Sequence, residues 1–164
     1  RIELEHLNTP FDVLEIPGHT LDHIAYHNDK MLFCGDTLFA GGCGRLFEGT
    51  AEQMWQSLCL LRALDDDCLV YCGHEYTLDN LQFAITIEPD NEALQTRYQR
   101  VVEMREIDQN TLPSTIGTEK ATNLFFRADT PALQAFAANT LKSDTVTPSE
   151  TFALIRKLKD TFGD

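Results

Sequence analysis

The sequence predicts an α/β chain whose later part is entirely helical. Two observations carry this. Up to Tyr71, short apolar or alternating runs are separated by glycine-bearing turns and one helical stretch. After Pro89 the apolar spacing turns helical and stays so, with no confident strand beyond Tyr71 except a possible one at Leu124 to Arg127. The division expected is an α/β part over 1–87 and a helical part over 88–164.

The elements follow in order. Residues 11–16 alternate apolar and polar before Pro17-Gly18, which reads as a strand ending at a turn. His23 to Tyr26 and Met31 to Cys34 read as short strands around Asn28-Asp29-Lys30, a hairpin. Leu38 to Gly49 reads as a glycine-rich loop. Thr50 opens a helix, with Gln53 completing a capping box, and Met54, Trp55, Leu58 and Leu61 form its apolar face. Asp65-Asp66-Asp67 closes that helix, and Cys68 to Tyr71 is a strand. Thr77 or Asp79 is the expected cap of the next helix, to about Ile87. A long helix spans 91–108, and a Thr-rich connection spans Thr111 to Thr122. Thr130-Pro131 and Thr147-Pro148 each open a helix with Thr as cap and Pro at the first turn, and Glu150 completes a box with Thr147.

The 164 residues suffice for a real core. Thirteen Lys and Arg stand against 26 Asp and Glu, a formal net charge of −13. That excess disfavours nucleic acid and anionic membrane surfaces as partners. No apolar run approaches the ~20 residues of a membrane span, and Arg1 to His6 resemble no signal peptide. The five cysteines, Cys34, Cys43, Cys59, Cys68 and Cys72, are odd in number and contain no Cys-x-x-Cys pair. Free thiols in a reducing compartment, the cytoplasm, are expected. Four read as buried small hydrophobes; Cys43, in the glycine-rich loop, is not expected to be a nucleophile.

Three stretches carry the chemistry: Pro17-Gly18-His19-Thr20, Gly35-Asp36-Thr37-Leu38-Phe39 and Gly73-His74-Glu75-Tyr76-Thr77. A lone histidine is more often structural or solvated than a ligand. Here strand, glycine and donor recur three times, which places His19, Asp36 and His74 at one sheet edge where loops build sites. A carboxylate such as Asp36 behind a buried strand is costly unless a cation or donors meet it. Imidazole and carboxylate together suit a zinc-type hydrolytic centre. No His-x-His-x-Asp-His cluster occurs, and the chain opens on Arg1, so further ligands are expected upstream.

With Gly-Gly-Cys-Gly-Arg-Leu-Phe-Glu-Gly-Thr at 41–50, these strings make the chain similar to glyoxalase II, the hydroxyacylglutathione hydrolases of the metallo-β-lactamase superfamily. The likeness runs to the C-terminus through Ile155 to Asp160 but covers only the later part of such an enzyme. It implies the later half of an αββα sandwich followed by a helical glutathione-thioester-binding domain. It implies two metal ions, zinc or else iron or manganese, with His19 on one, His74 on the other and Asp36, the catalytic carboxylate, bridging both. A hydroxide between them would attack a 2-hydroxyacylglutathione thioester of the S-D-lactoylglutathione type, releasing glutathione and a 2-hydroxy acid in methylglyoxal detoxification. Arg45, Leu46, Phe47, His74 and Tyr76 match substrate-contacting positions, and the intact enzyme is expected to be monomeric.

Arg156 and Lys159 lie on adjoining faces of the last helix, beside Ile155, Leu158 and Phe162. They read as a cationic clamp for glutathione carboxylates rather than as charges favouring a helix end. His23, in a turn where Asp22 replaces the family's glycine, is expected to pack behind the ligands. His6 and His27 are expected to be exposed. A related persulfide dioxygenase, another thioester hydrolase of this fold, and a catalytically incompetent piece are the alternatives.

Overall fold

The computed structural model describes residues 2–4 and 7–163. A six-stranded mixed sheet runs in the order β1 (Ile2–Leu4), β2 (Leu7–Glu15), β3 (Ile24–His27), β4 (Met31–Gly35), β7 (Leu69–Cys72) and β8 (Ser114–Thr115). Only β4 and β7 pair in parallel; the other neighbours are antiparallel. Consequently β2, β4 and β7 point the same way, and their C-terminal ends share one edge. Helix α1 (Ala51–Arg62) supplies the crossover that a parallel pair needs.

One face of the sheet is buried and the other is not. Ala25, Leu32, Cys34 and Val70 are sealed in one core with Met54, Leu58 and Leu61 of α1. Leu32, Val70, Met54, Leu58 and Leu61 are fully buried and contribute roughly 1.5–3 kcal/mol each. The alternate residues Val13, Tyr26, Phe33 and Tyr71 are cross-strand partners in succession on the opposite face. Val13, Tyr26 and Phe33 remain 36–40% exposed. Phe33 stacks on Tyr71 with ring centroids 5.0 Å apart.

The helical part comprises α2 (Thr77–Ile87), α3 (Glu92–Glu106), α4 (Ile116–Thr122), a 3-10 turn (Leu124–Phe126), α5 (Pro131–Leu141) and α6 (Pro148–Asp160). Leu94, Ile116, Leu124, Phe125, Phe126, Phe152 and Ile155 join the same core as the sheet. Both expected capping boxes form, Thr50 with Gln53 and Thr147 with Glu150.

Several local expectations are corrected. The Thr-rich connection holds a strand: Ser114 and Thr115 pair with Val70 and Leu69, because the outer edge of β7 needs backbone partners. Leu124 to Phe126 is a 3-10 turn, not a strand. All three side chains are buried, which an alternating strand with one open face does not allow. Tyr76 rather than Thr77 or Asp79 occupies the cap position of α2. The Thr77 hydroxyl accepts from Thr111 instead, and Asp79 pairs with Lys159. Thr130 precedes α5 without a side-chain capping bond. The glycine-rich loop contains a small hairpin, β5 (Leu38–Phe39) with β6 (Gly42–Cys43). His27 is half-buried, and His6 lies outside the described residues.

Candidate metal-binding cleft

The shared edge of β2, β4 and β7 is where the three predicted donors meet. His19 follows β2 through Pro17-Gly18, Asp36 follows β4, and His74 follows β7 through Gly73. Because β4 and β7 run in parallel with Gly35 opposite Cys72, their next residues emerge side by side. The Gly73 N–H donates to the Gly35 carbonyl at 2.9 Å. A Cβ on Gly73 would lie 2.3 Å from Asp36 Oδ1, so only glycine lets the carboxylate turn in here. Gly35 has φ +52° and would drive a Cβ to 2.6 Å from His23 Nε2.

His19 Nε2 and His74 Nε2 each lie 3.6 Å from the same atom, Asp36 Oδ2. That is too long for a hydrogen bond. It suits atoms sharing an ion: at about 2.1 Å per bond, two ligand atoms on one metal can stand up to about 4.2 Å apart. The His19 ring is oriented by donation from Nδ1 to the Arg45 carbonyl at 2.9 Å. Its Nε2 lone pair is therefore free in the neutral ring. His23 packs behind the donors as expected. The Asp36 N–H donates to His23 Nε2 at 3.2 Å, and His23 Nδ1 faces the Thr20 hydroxyl at 3.5 Å.

The donors fit a metal as a partial set. Among the described residues, no group of three or more His, Cys, Asp or Glu closes around one point. Asp36 with either imidazole presents two ligand atoms, where a closed zinc site takes four.

These donors lie in an open cleft of about 610 Å³, also lined by Phe39, Arg45, Phe47, Tyr76, Asp79, Asn80, Arg156, Lys159 and Phe162. Phe47 is 69% exposed, and its ring sits 4.8 Å from that of His19. Tyr76 stacks on His74 at 5.2 Å and meets Phe39 edge-on at 5.1 Å. The Arg45 side chain is well exposed, with Asp160 at 3.9 Å. Leu46 packs against the core and does not line the cleft. Arg156 is buried: Nη1 donates to the Cys43 carbonyl at 2.8 Å, and Nε and Nη2 reach Asp160. Lys159 Nζ pairs with the Asp79 carboxylate and lies over the Phe162 ring at 5.3 Å.

Phe39, Asp79, Asn80 and Phe162 were not marked as cleft residues by the sequence. Phe39 alone carried a signal, as the last residue of the Gly-Asp-Thr-Leu-Phe string. Asp79 and Asn80 come from the first turn of α2, just after His74, and Phe162 from the turn that follows α6. Burial pushes the Cys43 thiol up to about 11, against the lowering pull of Arg156. Cys43 is thus a neutral wall group of the cleft. All five cysteines are free thiols. No helix among the described residues is long and apolar enough to cross a membrane.

The family model described as "Hydroxyacylglutathione hydrolase C-terminus" matches residues 75–162. The model described as "Metallo-beta-lactamase superfamily" matches residues 4–74. A hydroxyacylglutathione hydrolase of Aeromonas salmonicida is 50% identical over 151 residues, 92% of this chain and 59% of that protein. One of Pseudoalteromonas translucida is 53% identical over 158 residues, 95% of this chain and 62% of that protein. This chain thus spans about 60% of the length of these curated relatives. A solved metallo-beta-lactamase from Staphylococcus aureus aligns with a TM-score of 0.48 and 25% identity, covering 91% of this chain and 38% of that one.

Proposed function

This chain belongs to the hydroxyacylglutathione hydrolase family of the metallo-beta-lactamase superfamily, and on that premise we propose that the intact protein hydrolyses 2-hydroxyacylglutathione thioesters. Water adds to the acyl carbon, the C–S bond breaks, and glutathione leaves as the thiol with a 2-hydroxy acid as co-product. Membership of the superfamily implies metal binding. The observation that carries the reading is the placement of His19 Nε2 and His74 Nε2 at equal distance, 3.6 Å, from Asp36 Oδ2.

His19 with Asp36 would hold one ion and His74 with Asp36 the other, zinc first, with iron or manganese as alternatives. Bound there, the ions would lower the pKa of water and polarise the thioester carbonyl. The rest falls to the chain itself. Phe47 and Tyr76 flank the donors with exposed rings and limit water around the acyl group. Arg45 and Lys159 would meet the carboxylates of glutathione, Lys159 by exchanging its Asp79 partner. Arg156 is held by the Cys43 carbonyl and Asp160, so it shapes the cleft wall and adds positive potential there. Residues 1–87 would serve as the metal-binding part and 88–164 as the thioester-binding part. Five free thiols support a reducing compartment such as the cytoplasm. The intact protein is taken to act as a monomer.

The test is a pair of assays on the intact, metal-loaded protein: loss of the S-D-lactoylglutathione thioester, and oxygen uptake with glutathione persulfide. Thioester cleavage without oxygen uptake is the expected outcome. Oxygen uptake with an intact thioester would replace this reading by a persulfide dioxygenase.

A further inference from the structure

The hairpin β5–β6 separates Asp36-Thr37 from Gly44-Arg45, so its position fixes both ends of the site. Phe39 leaves it toward Tyr76 and His74, at 5.1 and 6.1 Å between ring centroids. Just beyond its other end, the Arg45 carbonyl holds the His19 ring. The hairpin is gripped from the far part of the chain. Asn80 Nδ2 donates to the Ala40 carbonyl at 3.1 Å. Asn123 Nδ2 reaches the carbonyls of Phe39 and Gly42, at 3.3 and 3.0 Å.

The central grip is Glu119, whose side chain is fully buried. Its Oε2 accepts from the Gly41 N–H at 2.8 Å and from Asn123 Nδ2 at 2.9 Å. Its Oε1 accepts from Arg97 Nη2 at 2.7 Å and from the Ser114 hydroxyl. We propose that Glu119 is a positioning residue for the cleft, holding the β5–β6 hairpin in register through the Gly41 N–H with the partly buried Arg97 as its counter-charge.

Stability alone does not call for this arrangement. A buried ion pair is often replaceable by apolar side chains without loss. An apolar replacement would leave the Gly41 and Asn123 donors without an acceptor, and those donors set the hairpin. A glutamine would offer one acceptor oxygen and one amide donor where the carboxylate presents two acceptors to converging donors. Glu119, Arg97 and Ser114 lie outside the cleft lining, so they act through the hairpin rather than on substrate.

The kinetic part of this inference rests on the thioesterase reading; the structural part does not. The experiment is amide hydrogen exchange on the intact protein, followed by thioester kinetics. In the unaltered protein the Gly41 amide is expected to exchange as slowly as the Leu32 amide of β4. In Glu119→Gln, Gly41 should exchange at least about tenfold faster with Leu32 unchanged, since a bond to a charged acceptor is lost. KM should rise about fivefold or more with kcat held within about twofold, the sign of lost binding geometry rather than lost chemistry. Arg97→Lys, which keeps the charge, should restore most of the Gly41 protection that Arg97→Gln removes. A Gly41 amide that exchanges at open-loop rates in the unaltered protein would overturn the proposal, whether or not Glu119→Gln folds. So would a folded Glu119→Gln variant with Gly41 protection and KM unchanged. Gly41 behaving as stated in a protein that cleaves no thioester would sink the thioesterase reading and leave the positioning role standing.

Discussion

His19 and Arg45 are joined by one hydrogen bond across 26 residues of chain, from the ring Nδ1 to the backbone carbonyl at 2.9 Å. The carbonyl can only accept, so Nδ1 donates, and in the neutral ring the Nε2 lone pair faces Asp36. The Arg45 side chain takes no part in this. Arg45→Ala should therefore leave the metal content of the intact protein unchanged while raising the thioester KM about tenfold, the scale of a charged hydrogen bond. His19→Ala should lower the metal content itself. Metal analysis beside steady-state kinetics separates the two effects.

The 164-residue chain by itself should bind zinc weakly and show little thioesterase activity. Each imidazole with Asp36 presents two ligand atoms, half of a closed tetrahedral set. Calorimetric titration of this chain with zinc checks it. A sharp, tight end point at two equivalents would show that the donors suffice.

The uncovered sheet face should make the same chain self-associate. Val13, Tyr26 and Phe33 are exposed in a row across three strands, the kind of contiguous apolar surface that draws a partner. Phe33→Ser removes the most exposed of the three and lies outside the buried core. Association can bury only the 40% of Phe33 that is exposed, so the substitution should weaken it about three- to eightfold, roughly 0.6–1.2 kcal/mol. Sedimentation velocity over a concentration series is the measurement; a monomer at all concentrations before substitution would refute it.

Cys43 predicts a loss of stability in alkali. Burial raises its thiol from 9.0 to about 11 in the folded chain. As pH rises past 9, the unfolded chain gives up this proton first, so the native state binds more protons and stability falls with pH. The share due to Cys43 should run from about pH 9 to about pH 11 and be lost in Cys43→Ala, leaving the fall that the other burial-raised thiols, Cys34 above all, produce by the same sign. Urea denaturation at pH 7.5, 9 and 10 follows it. Cys43 should also resist alkylation near neutral pH until the chain unfolds.

How far the site could be read from sequence depended on which interactions are local. His19, Asp36 and His74 stood out because each follows an apolar run and a neighbouring glycine, a pattern contained in a few residues. The capping boxes at Thr50 and Thr147 were legible for the same reason: cap and partner are three residues apart. Ser114-Thr115 was not legible as a strand, since two residues carry no period; its pairing is decided by the open edge of β7. The misplaced cap of α2 has a related cause. Thr77 and Asp79 have the right chemistry to cap, but Thr111 and Lys159 claim them from distant parts of the chain.

Backbone propensity, hydrophobic period and short strings are properties of neighbouring residues, so residue order alone carries the family, the α/β-then-helical order and the three donors at strand ends. Folding adds that two imidazoles face one carboxylate oxygen, that Arg156 is held by the Cys43 carbonyl and Asp160 while Lys159 faces Asp79, and that Glu119 holds Gly41. Those relations depend on strand direction, on parallel pairing of β4 with β7, and on the return of a distant helix to the sheet. A one-dimensional pattern does not encode which side chains such packing brings within hydrogen-bonding distance.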